Sequence, residues 1–451
     1  MRISIIGTGY VGLTTAVGLA SKGHGVVGVE KRQEQLDAIA SGKSPFYEKG
    51  LDELLQKVLK DGSFTLSSDI GKAVMGTDVS FICVGTPQGS DGWVDLAAIR
   101  AVSESLGDAI KGKAGRHIVV VKSTVLPGTT LDVVGKAIEE RSGKKAGEGF
   151  GLAMVPEFLR EGSALADFLE PDRVVVGVED DETGKVLFAL FSESFGAPIV
   201  MANTKTAEMV KYTNNAFLAL CISFSNEIAQ VCEKTGQVDA YQVMDAVVKD
   251  GRITTYGTGQ PSVPGIASYL VPGCGFGGSC FPKDLSALSH LAKKVGIQQG
   301  LVERTLEINH LQMEGVADRA ERILGSLKGK QVAVLGVAFK PDTDDVRGSP
   351  AITIIEGLQK RGALVSACDP RALGSIEGQF KGSIIYAKSA QDALKGADLA
   401  IAVTRWKEFA SLAPEDFIGA MKSARVLDCR GMYDRQAFSK KLEYHRIGYI
   451  Q

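Results

Sequence analysis

Residues 2–12 read RISIIGTGYVG, an apolar strand-like run that closes on Gly7, Gly9 and Gly12 and passes directly into the helical spacing of YVGLTTAVGLASKG (10–23). In this GxGxxG arrangement the first glycine permits a tight turn, the second lets a pyrophosphate approach the backbone, and the third lets helix and strand pack closely. Phosphate oxygens then meet the positive end of the helix. The next strand, GVVGVE (25–30), ends on Glu30, about 20 residues past the turn, where an acid grips a ribose hydroxyl. A carboxylate repels a 2′-phosphate and so favours NAD over NADP, while Lys31 and Arg32 beside it pull the other way.

Outward from this unit, VSFICVGTP (79–87), HIVVVKSTV (117–125), GLAMVPEF (151–158) and RVVVGVE (173–179) continue as short Val/Ile runs separated by helical periodicity. That alternation predicts parallel strands with crossover helices, an α/β doubly wound domain over 1–202. From 203 to 325 the segments 206–236 and 300–324 carry helical spacing, and a Gly/Pro-rich loop (251–278) lies between them. A helical middle domain is predicted there. At KGKQVAVLGVAFKPDTDD (328–345) strand and helix alternate again through LVSACDP, GSIIYA, LAIAVTRW and RVLDCRG, which predicts a second Rossmann-like domain over 326–451.

Composition narrows the function. Lysine plus arginine number 51 against 53 acids, a formal net charge of −2, so no nucleic-acid partner is expected and a small molecule is. No apolar stretch is long enough for a membrane span, and the chain enters its first strand almost at residue 1, which predicts no secretory signal. The seven cysteines are scattered, without a CxxC pair, as expected of reduced thiols in a cytoplasmic protein without a zinc site.

One thiol stands apart. GFGGSCFPKD (275–284) places Cys280 just before Pro282, a residue favoured in the first turn of a helix. A helix N-terminus lowers a thiol pKa, Asp284 one turn on can accept or orient a proton, and the preceding glycines leave room for a ligand. The bland alternative is a helix cap with an incidental thiol. Cys83 and Cys221, inside apolar segments, read as small buried hydrophobes. Lys211 and Asn215 share a helix face at i, i+4, able to stabilise an oxyanion or merely to meet solvent. Glu157 ends an apolar strand, where ligands collect in α/β sheets; burial there would raise its pKa and suit a general base, the alternative being a surface carboxylate.

Taken together, GTGYVG, CVGTP, VKSTVLPGTT, VPEFLREGSA, EMVKYTNNAF, GFGGSCFPKD, LGVAFKPDTDDVRGSP, TRWKEF and DCRGMYD, in this order along the whole chain, resemble the nucleotide-sugar dehydrogenases. The resemblance implies a four-electron oxidation of a sugar C6 alcohol to a carboxylate with two NAD, through a thiohemiacetal and thioester on Cys280. It implies that Lys211 and Asn215 stabilise the oxyanion, that Asp284 and Glu157 handle protons, and that Thr124 helps hold a water. Phe158, Leu159, Arg160, Glu161, Tyr269, Gly273, Gly277 and Lys340, with Lys211 and Asn215, would bind the nucleotide sugar. Gly7, Gly9, Tyr10, Val11, Gly12, Glu30, Thr86, Thr124, Glu161, Lys283 and Arg347 would lie along the cofactor. The branch that oxidises UDP-glucose is the nearest match and the GDP-mannose branch its rival, since loop 252–274 departs from the usual pattern and Arg252 lies too far upstream to serve as the sugar-phosphate arginine. A two-electron hydroxyacid dehydrogenase and a non-enzymatic NAD sensor stand as alternatives from other classes. The apolar AFLALCISF segment predicts a homodimer through the middle helices.

Overall fold

The chain divides into two units, Met1–Asn214 and Asn215–Gln451. The computed structural model describes residues 1–89, 92–257, 260–298 and 300–449.

The first unit is built on β1 (Arg2–Ile6), β2 (Gly25–Val29), β3 (Phe64–Ser67), β4 (Val79–Ile82), β5 (Ile118–Val121), β6 (Gly151–Met154), β7 (Val174–Val178) and β8 (Ile199–Ala202). They form one sheet in the order β3-β2-β1-β4-β5-β6-β7-β8. Strand order reverses between β1 and β4, the switch point at which α/β sheets bind ligands. Alternate residues feed separate cores: Ile3, Ile5, Phe81 and Val120 pack into one. Ile6, Ile82, Val119 and Val121 pack into another. Strands buried on both faces read as continuous apolar runs, which is why the sequence announces them.

The second unit repeats the plan with β9 (Gln331–Leu335), β10 (Leu364–Cys368), β11 (Ile385–Tyr386), β12 (Leu399–Ala402), β13 (Arg425–Asp428) and β14 (Glu443–Arg446), ordered β11-β10-β9-β12-β13-β14. Every pairing in this sheet is parallel. Its helical part packs directly on the sheet: Ala229, Cys232, Val316, Ala317 and Ala320 share a core with Val332 and Val334. The first predicted helical segment is a single helix, Thr204–Thr235, ending one residue before Gly236, and the second is the helix Leu301–Leu324, beginning after Gly300. The mixed α/β architecture is therefore two Rossmann-like sheets with a helical middle region.

Two sequence expectations need correction. β7 pairs with β6 antiparallel, Met154 opposite Gly177, because the intervening connection holds only the six-residue helix Ala164–Leu169 and turns the chain back. Strands β3, β8 and β14, absent from the sequence reading, lie at sheet edges, where half-exposed residues such as those of β8 break the apolar run.

Candidate active site

In the first unit the nucleotide turn has the geometry its glycines require. Gly7 adopts φ +92°, and a Cβ on Gly12 would sit 1.8 Å from the Gly7 carbonyl oxygen. Gly9 caps the Tyr10–Ser21 helix, with nothing within 4 Å of where its Cβ would project. No acidic side chain occupies the first turn of that helix, so its positive end stays available to an anion. Glu30, buried just past β2, accepts from the Lys31 and Arg32 N–H groups at 3.0 and 3.1 Å and from the Thr8 hydroxyl at 3.1 Å. Burial pushes its carboxyl up, but these hydrogen bonds outweigh burial and hold it below the ordinary range, ionised and ready to accept from ribose hydroxyls. The open space over Gly9 and the anchored carboxylate fit a dinucleotide.

Tyr10 opens the nucleotide helix. Its hydroxyl donates to Glu48, and the Gly162 N–H lies 3.0 Å from both the Tyr10 and the Glu48 oxygens. Glu48 thus fastens the loop after β6 to the start of the nucleotide helix. The SPFYEKG segment carries no sequence signal for this role. Thr86 donates to the Thr124 carbonyl at 2.9 Å, placing those two residues together beyond β4 and β5, while Val11 lies on the first turn of the nucleotide helix.

Glu157 is buried and paired with Lys211 at 2.8 Å, and its second oxygen accepts from the Leu159 N–H at 2.6 Å. The expected rise in its pKa is corrected. Burial does push the carboxyl up, but Lys211, the Leu159 N–H and Lys122 together hold it below its usual range. Phe158 packs under the Arg173 guanidinium, 4.2 Å from the ring centroid. Arg160 pairs with Asp167 at 2.5 Å, and Glu161 lies between Arg160 and Gly162 in the same loop. Further buried groups escaped the sequence reading, among them Lys122, and Glu208, whose carboxylate binds the N–H groups of Gly128 and Thr130 and so shapes the loop after β5.

In the second unit Cys280 is partly exposed and caps the helix Phe281–Lys294, with Pro282 in its first turn as expected. Ser279 Oγ lies 3.5 Å from the Cys280 sulfur. The Asp284 N–H donates to the Cys280 carbonyl at 2.9 Å. Asp284 itself is buried; its carboxylate accepts from Asn215 at 2.6 Å and from Lys283 at 2.5 Å. Lys211 and Asn215 are one turn apart on the uninterrupted Thr204–Thr235 helix. By contrast Cys83 is buried, its thiol pushed up to about 12 by burial, as a structural cysteine should be.

The glycines before Cys280 are required first of all by packing within the chain. A Cβ on Gly277 would lie 2.1 Å from the Gly348 carbonyl, and one on Gly278, at φ +89°, would lie 2.9 Å from the Phe339 ring. Gly278 N–H bonds to the Arg347 carbonyl at 2.8 Å. Gly277 and Gly278 thus let the VRGSP loop and the Phe339 ring rest on the thiol segment. The Arg347 side chain is exposed and paired with Asp345 at 2.6 Å. Gly273 is held through its N–H by Asn226 and through its carbonyl by Gln312. Tyr269 closes the short 3₁₀ turn Gly265–Tyr269, and Lys340 lies 5.6 Å from the Phe339 ring centroid. Arg252 is exposed and paired with Asp250 at 2.8 Å. Residues 258 and 259 of the loop between them lie outside the described residues.

Among the described residues no group of three or more His, Cys, Asp or Glu side chains could hold a metal ion, and no helix is long and apolar enough to cross a membrane.

Family models match in three consecutive stretches: the UDP-glucose/GDP-mannose dehydrogenase NAD-binding domain over 1–195, the central domain over 205–311 and the UDP-binding domain over 333–435. The chain is 41% identical to a UDP-glucose 6-dehydrogenase of Haloferax volcanii, covering 97% of this chain and 98% of that one. It is 38% identical to a GDP-mannose 6-dehydrogenase of Pseudomonas savastanoi over 95% of this chain and 99% of the relative. Among solved structures, a UDP-glucose dehydrogenase from Pyrobaculum islandicum superposes with a TM-score of 0.90 at 36% identity, covering 100% of this chain and 98% of that one.

Proposed function

The chain belongs to the UDP-glucose/GDP-mannose dehydrogenase family, and from that premise we propose that it oxidises the C6 alcohol of UDP-glucose to a carboxylate through a thioester on Cys280. The family is NAD-dependent, and NAD supplies the hydride acceptor for each of the two oxidations. Cys280 carries the reading: a partly exposed thiol at a helix N-terminus, one turn from a carboxylate that is itself held in place by Asn215 and Lys283.

The chemistry follows from what an aldehyde lacks. After the first oxidation the carbonyl carbon has no alkoxide to expel a second hydride. The Cys280 thiolate adds to that carbon, creating a thiohemiacetal oxyanion that Lys211 and Asn215 stabilise. Loss of the second hydride leaves a thioester. Water, held with help from Thr124, adds to it as Glu157 and Asp284 take up protons, and the thiolate leaves. In this assignment residues 1–202 bind NAD, 203–325 form the middle domain, and 326–451 bind the nucleotide part of the sugar, with Lys340 supplying positive charge to a phosphate. In the first unit Phe158, Leu159, Arg160 and Glu161 take the sugar side and Val11, Thr86 and Glu161 the cofactor side. In the second, Tyr269, Gly273 and Gly277 serve the sugar nucleotide, and Lys283 and Arg347 the cofactor.

UDP-glucose is preferred because the Haloferax relative of that substrate name is 41% identical against 38% for the GDP-mannose relative, and the Pyrobaculum UDP-glucose dehydrogenase superposes with a TM-score of 0.90. Seven free cysteines suit a reducing, cytoplasmic setting. Phe217, Phe224 and Val231, exposed at seven-residue spacing along the Thr204–Thr235 helix, support a homodimer.

The test is the yield of NADH per sugar nucleotide, with UDP-glucose and GDP-mannose side by side, in wild type and Cys280→Ser. About two NADH per UDP-glucose, abolished in the variant, is the expected result. Two per GDP-mannose would move the substrate and keep the chemistry; one per sugar, indifferent to the thiol, would mean a simple two-electron dehydrogenase.

A further inference from the structure

Lys122 stands one residue past β5 and is buried, with its N–H bonded to the Ile82 carbonyl at 3.0 Å. The sheet register sets Val121 beside Ile82 of β4 and beside Met154 of β6. Cys83, Lys122 and Glu157 therefore follow the C-terminal ends of three adjacent strands, and Lys122 and Glu157 line one cavity of about 130 Å³. Yet Glu157 already has a partner in Lys211 at 2.8 Å. The cluster thus contains two buried ammonium groups and one buried carboxylate, and a buried amine is not retained without electrostatic reason.

The reason lies in what Lys211 must do. An ammonium that stabilises a developing oxyanion has to slacken its grip on Glu157, leaving a buried carboxylate that would take up a proton for want of a counter-ion. We propose that Lys122 is a positioning residue, the standing counter-ion that keeps Glu157 ionised while Lys211 turns to the substrate oxyanion. This rests on the reading above that Lys211 and Glu157 serve the oxidation. The other charged groups lining the cavity do not substitute for it. Arg160 is committed to Asp167 at 2.5 Å, and Arg173 covers Phe158 and donates to Asn214 at 3.1 Å. Glu170 and Asp172 have the wrong sign. From the neighbouring elements Cys83 and Lys211 face the cluster. Burial pushes the Lys122 ammonium below its ordinary range; Cys83 and Glu157 pull it back up and Lys211 pushes it further down, so the groups sense one another.

The test uses the full-length enzyme and the pH profile of NADH formation in wild type, Lys122→Met and Lys122→Arg. Removing the charge should move the acidic limb up by about one pH unit, because Glu157 then protonates more readily, and the arginine variant should restore it. Lys122→Arg, whose charge does not titrate, should also carry activity further into alkaline pH, and this arm remains informative where the methionine variant does not fold. In parallel, the Glu157 carboxyl is titrated by ¹³C NMR, its signal identified by loss in Glu157→Gln. An unmoved acidic limb and an unmoved carboxyl titration in folded Lys122→Met, or an alkaline limb unchanged in Lys122→Arg, overturns the proposal. A wild type that oxidises no nucleotide sugar defeats the functional reading instead, and the carboxyl titration then still decides whether Lys122 holds Glu157 ionised.

Discussion

Asn215 donates from Nδ2 to Asp284 Oδ2 at 2.6 Å, tying the middle of the Thr204–Thr235 helix to the first turn of the helix that begins after Cys280. Because Asp284 is 1% exposed, its carboxylate depends on this amide and on Lys283 for the hydrogen bonds that water would otherwise supply.

Asn215→Asp exploits that dependence. It places two carboxylates at hydrogen-bond distance in a buried site, where both cannot ionise. Its melting temperature should fall below wild type at pH 8 and recover toward it near pH 5, where the two oxygens share a proton. Turnover should drop about 10²-fold, as when one oxyanion donor is lost. A variant that melts at the wild-type temperature across this range would show that the pair carries no structural weight.

The two glycines of the nucleotide turn should respond in opposite ways to one methyl group. Gly12→Ala drives a Cβ to 1.8 Å from the Gly7 oxygen, a clash with backbone that cannot be relieved by a rotamer change. It should cost at least the ~1–3 kcal/mol of ordinary overpacking, with soluble yield lost. Gly9→Ala meets nothing within 4 Å and has φ −70°, which alanine adopts freely. It should melt with wild type and yet bind NAD at least about 10-fold more weakly, since the methyl occupies the approach of the pyrophosphate. Calorimetric titration with NAD against thermal melting separates the two; a Gly9→Ala protein with wild-type affinity would argue against this cradle.

What the sequence disclosed follows burial and spacing. Strands β1, β4, β5 and β9 are covered on both faces and announce themselves, and Cys280 is legible at its helix start because Pro282 fixes that start locally. What it concealed depends on partners distant along the chain. The fall in the Glu157 pKa requires Lys211, more than fifty positions away, and the glycine run before Cys280 is explained only by Gly348 and Phe339 resting on it. Edge strands such as β8 are half exposed and lose the pattern that betrays central ones. Lys122 was hidden inside a motif noted for its threonine.

A buried network at β4 and β5 predicts part of the acid sensitivity. His117 Nε2 lies 2.7 Å from Ser80 Oγ, and Lys113 Nζ lies 2.8 Å from Nδ1. Burial, then Lys113, depresses the imidazole from 6.5 to about 3. A His held neutral in the fold but free to protonate when unfolded contributes stability above pH 6.5, lost progressively as pH falls toward 3. His117→Gln should therefore be less stable than wild type at pH 7.5, while the gap narrows as pH falls to 4.5. Parallel melting curves at both pH values, with a constant gap, would contradict this sign.

The exposed stripe on the long helix gives the last prediction. Phe217, Phe224 and Val231 are 56%, 46% and 56% exposed, two of them aromatic, at the seven-residue spacing that keeps one face of a helix in register. Large apolar side chains at that regularity suit a second copy of the same helix better than water. Wild type should sediment as a dimer of 47.7 kDa chains. Phe224→Glu sets like charges near the centre of a two-fold contact, and should sediment as a single chain with little change in helical circular dichroism. A Phe224→Glu protein that remains a dimer would place the interface elsewhere, and a wild type already monomeric at micromolar concentration would overturn the dimer itself.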